Sequence, residues 1–158
     1  MANLILRSLV WLGAVAWWLA LRKPPQRGWT DMATGIAAMF GLLLAGFGAA
    51  LFAWTARTLA SGVPNVIDAP AVLLTRGPFR FVRNPLYLAA AAVFVGVTTV
   101  YGFWEPRDGF VVVVLALVIH LFVVYREEPA TRRRLGPAYD AYCAQVPRWI
   151  PRWSSARE

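Results

Sequence analysis

Charged residues divide this chain into long uncharged runs. Asp31 and Arg57 bracket 25 uncharged residues, 32–56. That is enough to cross the ~30 Å hydrocarbon layer of a bilayer as one tilted helix. Arg83 and Glu105 bracket another 21 residues, and with Pro85 suited to a first turn they predict a span over 86–104. Between Asp108 and Arg126 lie 17 more, including a dense apolar run at 110–118, which predict a short span over 109–125. Residues 4–21 form the weakest of four predicted spans, because Arg7 interrupts them and has to snorkel toward the headgroups. A cleaved signal peptide explains that stretch less well, since Trp18 stands where a small residue should precede cleavage after Ala20.

The tryptophans follow the same partition. Trp17, Trp18, Trp29, Trp54 and Trp104 fall at or near predicted helix ends, where amphipathic rings sit at headgroup level, and Trp11 alone lies mid-span. Gly41, Ala45 and Ala49 place small residues at four-residue spacing in the second span, which suits close helix packing. The expected fold class is all-α: a polytopic membrane protein of about four transmembrane helices. No internal repeat or low-complexity linker breaks residues 1–158, so one domain is expected.

Composition narrows the classes. Apolar residues make up 59% of the chain and charged ones 15%. A soluble domain of this length cannot hide that much apolar surface in one core, and disorder, collagen and coiled coil fail the same arithmetic. There are 16 Lys and Arg against 8 Asp and Glu, for a net charge of +8. Such an excess also fits nucleic acid, but no recognisable nucleic-acid module accompanies it, so no nucleic-acid partner is expected. With four spans, twelve cations share the side of the N-terminus, the 57–85 loop and the C-terminal tail, and Arg22, Lys23, Arg27 and Arg107 take the other. The positive-inside bias then puts the arginine-rich side in the cytoplasm, although the Arg22, Lys23, Arg27 cluster opposes this locally. The single cysteine, Cys143, excludes an internal disulfide framework and a cysteine-rich metal site.

Two polar stretches exceed what connectors need. The first is Thr75-Arg76-Gly77-Pro78-Phe79-Arg80-Phe81-Val82-Arg83-Asn84-Pro85-Leu86-Tyr87. It carries two turn signals, and Asn84 reads as the N-cap of a helix that Pro85 begins. A helix start flanked by Arg80 and Arg83 would attract an anionic group such as a carboxylate, but a positive flank with an ordinary cap accounts for the same residues. The second stretch begins at Tyr125-Arg126-Glu127-Glu128-Pro129 and runs through Arg132-Arg133-Arg134 to Gly136-Pro137. It continues through Tyr139 and Tyr142 to Val146-Pro147-Arg148-Trp149-Ile150-Pro151. Pro129 and Pro137 can each begin a short helix. Tyr139 and Tyr142, three apart, would face one way and press onto the membrane or a ligand. An amphipathic tail bound to anionic lipid explains the arginines but not two adjacent carboxylates at the end of an apolar helix, where the dipole opposes them.

In this order and spacing, the two stretches resemble the isoprenylcysteine carboxyl methyltransferases, integral membrane enzymes similar to the phospholipid methyltransferases. The resemblance rests on Gly77-Pro78-Phe79-Arg80, Arg83-Asn84-Pro85-Leu86-Tyr87, Arg126-Glu127-Glu128, and Gly136, Tyr139, Tyr142, Val146-Pro147-Arg148 and Ile150-Pro151. It covers residues 75–151. It implies S-adenosylmethionine as methyl donor, in a cytoplasmic pocket built from 75–87 and from 126–151, where short amphipathic helices are expected. A lipophilic acceptor would enter from the bilayer, with carboxylate O-methylation favoured and N-methylation of a phospholipid or small amine as the alternative. By position, Arg83, Asn84, Pro85 and Tyr87 would shape the methionine end of the cofactor pocket. Glu127 and Glu128 would accept from ribose hydroxyls or the cofactor's amine, and Tyr139 and Tyr142 would close the adenosine side. Arg126 or Arg148 would orient an anionic acceptor by bidentate pairing.

Methyl transfer from a sulfonium is an in-line displacement that needs no metal, and positioning can supply roughly 7–11 kcal/mol of barrier reduction at best. Two departures stand out: the family histidine is Asn84 here, and a family leucine is Thr131. Four spans, fewer than in the eukaryotic enzymes, point to a bacterial or archaeal-type member of the inner or plasma membrane. No Gly-x-Gly-x-x-Gly occurs, which excludes a soluble Rossmann methyltransferase. His120 has no partner histidine or carboxylate within a helical turn and reads as structural or substrate-lining. Cys143 reads as packing. The rival from another class is a non-catalytic helical scaffold with a lipid-binding arginine-rich tail, which needs neither the glutamate pair nor the Arg83-Asn84-Pro85 start.

Overall fold

The computed structural model describes residues 32–62, 73–101 and 106–152, and these are helical with no strand among them. Helix α1 is Met32–Gly62, a 3-10 turn covers Gly77–Arg80, and α2 is Pro85–Val100. Helix α3, Pro106–Phe122, passes through a π-helical turn, Val123–Glu127, into α4, Glu128–Leu135, and α5 is Pro137–Gln145. Pro85 and Pro137 open their helices, as the sequence suggests, since a missing N–H costs nothing in a first turn; Pro129 sits just past the π-helical turn, where the helix continues from α3.

Two described helices are long and apolar enough to cross a bilayer, Met32–Ser61 and Gly109–Leu135. The four-span expectation is therefore only partly met. The predicted span 4–21 lies outside the described residues, as do Trp11, Trp17, Trp18, Trp29 and Trp104. The span predicted over 86–104 is a helix of 16 residues ending at Val100, about 24 Å long and short of a ~30 Å core. Residues 102–104 of that predicted span lie outside the described residues. In contrast, α1 runs beyond 32–56 to Gly62 and carries Arg57 within it.

The apolar side chains of both long helices face outward. On α1, Phe40, Leu42, Leu43 and Phe47 are exposed, and on α3 so are Phe110, Val113, Leu117 and Leu121. Helices apolar around their circumference suit lipid rather than water.

Against α2, α1 packs through a seam without side chains. A Cβ on Gly41 would lie 2.7 Å from the Gly96 carbonyl oxygen, and one on Gly48 would lie 2.7 Å from Val93 N. Conversely, a Cβ on Gly96 would fall 2.5 Å from Ala45 N, so the antiparallel backbones touch. The seam is Gly41, Ala45 and Gly48; Ala49, expected in it, is exposed. With 3.6 residues per turn, a stripe continues at i+7 more directly than at i+8. Buried Thr55, Thr58 and Thr98 donate to carbonyls of their own helices, Leu51, Trp54 and Phe94 respectively, so no hydroxyl is stranded there.

Past α5 the chain doubles back. Arg83 N donates to Pro147 O at 2.9 Å and Arg152 N donates to Phe81 O at 3.1 Å. A strap, residues 147–152, thus lies along the segment that leads into α2. Beneath it Tyr139, Tyr142 and Val146 form a buried cluster with Leu73, Leu135 and Cys143 packed on it.

Candidate active site

The two polar stretches meet. Gly77 starts the 3-10 turn at φ +63°, a conformation favouring glycine, and a Cβ there would lie 2.6 Å from Thr58 Oγ1 on α1. The turn and the following residues bring Arg83 to the entrance of α2. Asn84 occupies the N-cap position, but its side chain does not cap the helix; Nδ2 donates instead to Arg148 O on the strap at 3.2 Å. The amide that replaces the family histidine therefore ties α2 to the tail. Pro85 is fully buried beneath it.

The glutamate pair owes its placement to the π-helical turn. One extra residue in a turn re-aims the following side chains by about 100°, away from the face that α3 presents. In this register Pro129 is accommodated, and Glu128 follows the π-helical turn directly, inside a helix that runs unbroken from α3 into α4. The hydroxyl of Thr131, at the family's leucine position, donates to Glu127 O at 2.9 Å. Polarity at that position is absorbed locally.

Glu128 is buried and accepts three hydrogen bonds. Arg148 Nε reaches Oε1 at 2.7 Å, Arg148 Nη2 reaches Oε2 at 2.8 Å, and Arg83 Nη1 reaches Oε1 at 3.0 Å. The hydrogen bond with Glu128 holds the Arg148 guanidinium above its ordinary pKa. Arg83 Nη1 also donates to Cys143 Sγ at 3.0 Å, so the thiol read as packing is an acceptor as well. The neighbouring Arg83 Nε is buried without a hydrogen-bond partner among the described residues. Half-buried Glu127 accepts from the Tyr87 hydroxyl at 2.9 Å.

Tyr139 and Tyr142 do share a face, with ring centroids 6.1 Å apart, but that face is the buried cluster rather than a surface. The Tyr142 hydroxyl donates to Phe79 O at 2.7 Å, fastening α5 to the 3-10 turn. Burial pushes both phenols above the ordinary tyrosine value. Of the residues singled out from the sequence, Arg83, Asn84, Pro85, Tyr87, Glu127, Glu128, Tyr139, Tyr142 and Arg148 come together. Arg126 is exposed and is not drawn into the cluster.

One participant went unrecognised in the sequence. Trp149 Nε1 donates to His120 Nδ1 at 3.0 Å, and its ring meets that of Tyr87 edge-on at 6.4 Å. A search for partners within one helical turn of His120 cannot find a residue 29 positions away. The available signal was the strap motif itself, which offers an indole, a donor-only group, beside Arg148.

The cluster is thus a partly buried polar site between the ends of apolar helices, rich in carboxylate and guanidinium groups and flanked by aromatic rings. No curated relative and no solved structure matches the chain. The phospholipid methyltransferase family matches residues 36–138, a stretch that contains the seam, the Arg83 segment and the glutamate pair and stops before Tyr139 and the strap. This family is related to the isoprenylcysteine carboxyl methyltransferases that the motifs resemble. The chain belongs to the phospholipid methyltransferase family and is a membrane methyltransferase.

Proposed function

We propose that this protein transfers the methyl group of S-adenosylmethionine to a lipophilic acceptor, at the cluster of Arg83, Tyr87, Glu127, Glu128 and Arg148. The observation that carries this reading is a partly buried set of donors and acceptors, in a methyltransferase family member, of the kinds that the groups on this cofactor require. Arg83 Nε, buried and without an acceptor among the described residues, suits the carboxylate of the methionine moiety. Glu127, half-buried beside Tyr87, is an acceptor for the amine or the ribose hydroxyls. When bound, S-adenosylmethionine supplies an electrophilic methyl on a sulfonium. The chain's own contribution is to fix that group and shut out water, with Asn84 and Pro85 shaping the pocket wall and Tyr139 and Tyr142 supporting the adenosine side. A four-span arrangement, in which 4–21 and 86–104 also cross and the arginine-rich side faces the cytoplasm, belongs to the same proposal.

Two acceptor chemistries follow from the motifs. Carboxylate O-methylation needs a guanidinium to orient the acceptor, and Arg126 or Arg148 is that candidate. Arg148 already spends its fork on Glu128, which leaves exposed Arg126 for the task. That commitment, together with the family match, gives support to N-methylation of a lipid amine as the second reading.

Calorimetry of S-adenosylhomocysteine with the detergent-purified protein tests the cofactor assignment. Saturable binding is expected, weakened at least tenfold in Glu127→Ala, equivalent to about 1.4 kcal/mol. A folded wild-type protein that binds none would leave the scaffold reading standing instead. Incubating membranes with methyl-labelled donor then separates the acceptors: base-labile label marks a methyl ester, and stable label in lipid marks an amine.

A further inference from the structure

The two adjacent glutamates are not equivalent. Glu128 is buried to 6% exposure, and three of the roughly four acceptor sites on its carboxylate already hold guanidinium donors. Those donors come from residues 45 and 20 positions away. A carboxylate that is filled and enclosed this way has little left to offer a ligand. What it does is join three segments: the entrance to α2 through Arg83, the start of α4 through its own backbone, and the strap through Arg148.

Its geometry also sets the neighbours. Arg83 Nη1 is pinned between Glu128 Oε1 and Cys143 Sγ, and this fixes the plane of a guanidinium whose Nε is a buried donor without a partner among the described residues. A planar, delocalised group held at one end presents its remaining donors in a set direction. Arg148 is held by two parallel bonds, and its carbonyl oxygen in turn receives Asn84 Nδ2. The strap therefore lies over the cluster because its charged residue is anchored, and Trp149 is delivered to Tyr87 and His120 by the residue before it.

We propose that Glu128 is a positioning residue: it clasps Arg83 and Arg148, closes the strap over the site and aims Arg83 Nε at the ligand, while Glu127 is the carboxylate that meets the cofactor. This rests on the reading of the cluster as the cofactor site. It separates the roles of two side chains that the sequence pattern presents as a pair.

Trypsin tests the clasp directly, because it must take the Arg148 guanidinium into its own pocket to cleave before Trp149. In full-length protein in detergent, without ligand, Glu128→Gln is expected to speed cleavage after Arg148 at least tenfold. Cleavage after Arg132, Arg133 and Arg134 is expected to stay at the wild-type rate. S-adenosylhomocysteine should bind the variant about tenfold more weakly, and at saturation it should restore wild-type protection, since Arg83 and Glu127 remain. Unchanged protection in ligand-free Glu128→Gln, with weakened binding, would make Glu128 a direct ligand and overturn the proposal.

If all sites accelerate together, Arg148→Lys decides, since it leaves the Arg83–Glu128 pair and the charge at 148 in place. Faster cleavage after residue 148 in an otherwise protected fold supports the clasp; wild-type protection overturns it. Failure of the wild-type protein to bind S-adenosylhomocysteine would instead strike the cofactor reading, and the strap data of the ligand-free protein would stand apart from it.

Discussion

Arg148 and Glu128 meet as a two-bonded fork, Nε to Oε1 at 2.7 Å and Nη2 to Oε2 at 2.8 Å, with the carboxylate almost wholly out of solvent. Removing one member of such a buried pair leaves an uncompensated charge, which costs about 3–5 kcal/mol. Glu128→Ala, which leaves the buried Arg83 unpaired while partly exposed Arg148 keeps access to water, is expected toward the lower end of that range in equilibrium unfolding in mixed micelles. The Arg132–Asp140 pair is as short, at 2.6 Å, but both side chains are about half exposed. Arg132→Ala should leave stability nearly unchanged, because an exposed pair is screened by water. Equal losses for the two variants would contradict the burial argument.

The helix seam makes a steric prediction. Gly96→Ala pushes a methyl into Ala45 N and the Gly41 carbonyl oxygen, backbone atoms that cannot move aside. Overpacking of this kind costs about 1–3 kcal/mol. Gly46 faces open space on the same helix as Gly41, so Gly46→Ala should be neutral or stabilising by up to about 1 kcal/mol. Thermal unfolding of the two variants side by side reads both signs.

Alkaline pH should loosen the tail. Burial raises the phenol pKa of Tyr139 and Tyr142 in the folded protein, whereas in the unfolded chain both titrate near the usual value of about 10. A group whose folded pKa is raised contributes stability that is fully present below the unfolded pKa and is lost as pH rises above it. The unfolding temperature is therefore expected to fall from about pH 10 upward. The fall should be shallower in Tyr142→Phe, although that variant starts lower because it loses the bond to Phe79 O. Phenolate absorbance followed against pH should show Tyr139 and Tyr142 ionising only as the fold is lost.

The contact between Trp149 and His120 predicts a dependence on hydrogen-bond chemistry rather than on size. An indole N–H can only donate, so His120 Nδ1 is the acceptor and carries no proton while the bond exists. Trp149→Phe keeps a ring against Tyr87 and loses the bond, at a cost of about 0.5–1.5 kcal/mol. His120→Leu, which strands the indole N–H, should match or exceed that loss, and His120→Gln, which keeps an acceptor, should recover part of it. A double-mutant cycle over the two positions checks the coupling, and strict additivity would mean the bond contributes nothing.

Much of the fold was legible because the bilayer imposes simple rules. Two of the charge-free runs, 32–56 and 109–125, lie in the two long apolar helices, since length and hydropathy suffice when lipid is the solvent. Pro137 announced the start of a short helix by the same local logic. The seam was found in type but not in register, because choosing between Gly48 and Ala49 requires knowing which side of α1 meets α2. The singled-out residues of 83–87, 127–128 and 139–148 lie near one another, as the motif order suggests, while Arg126 stays outside them.

What the sequence could not decide was who pairs with whom. It marked Glu127 and Glu128 as conspicuous, since adjacent carboxylates at the end of an apolar helix contradict a purely basic flank. The π-helical turn, the return of the strap and the resulting distances assigned Glu128 to Arg83 and Arg148, Glu127 to Tyr87, and His120 to Trp149. Span positions and helix starts depend on solvent and on local backbone preference, which a linear pattern records. Partnerships across 20 to 45 residues depend on where the chain turns back, and only the packed structure fixes that.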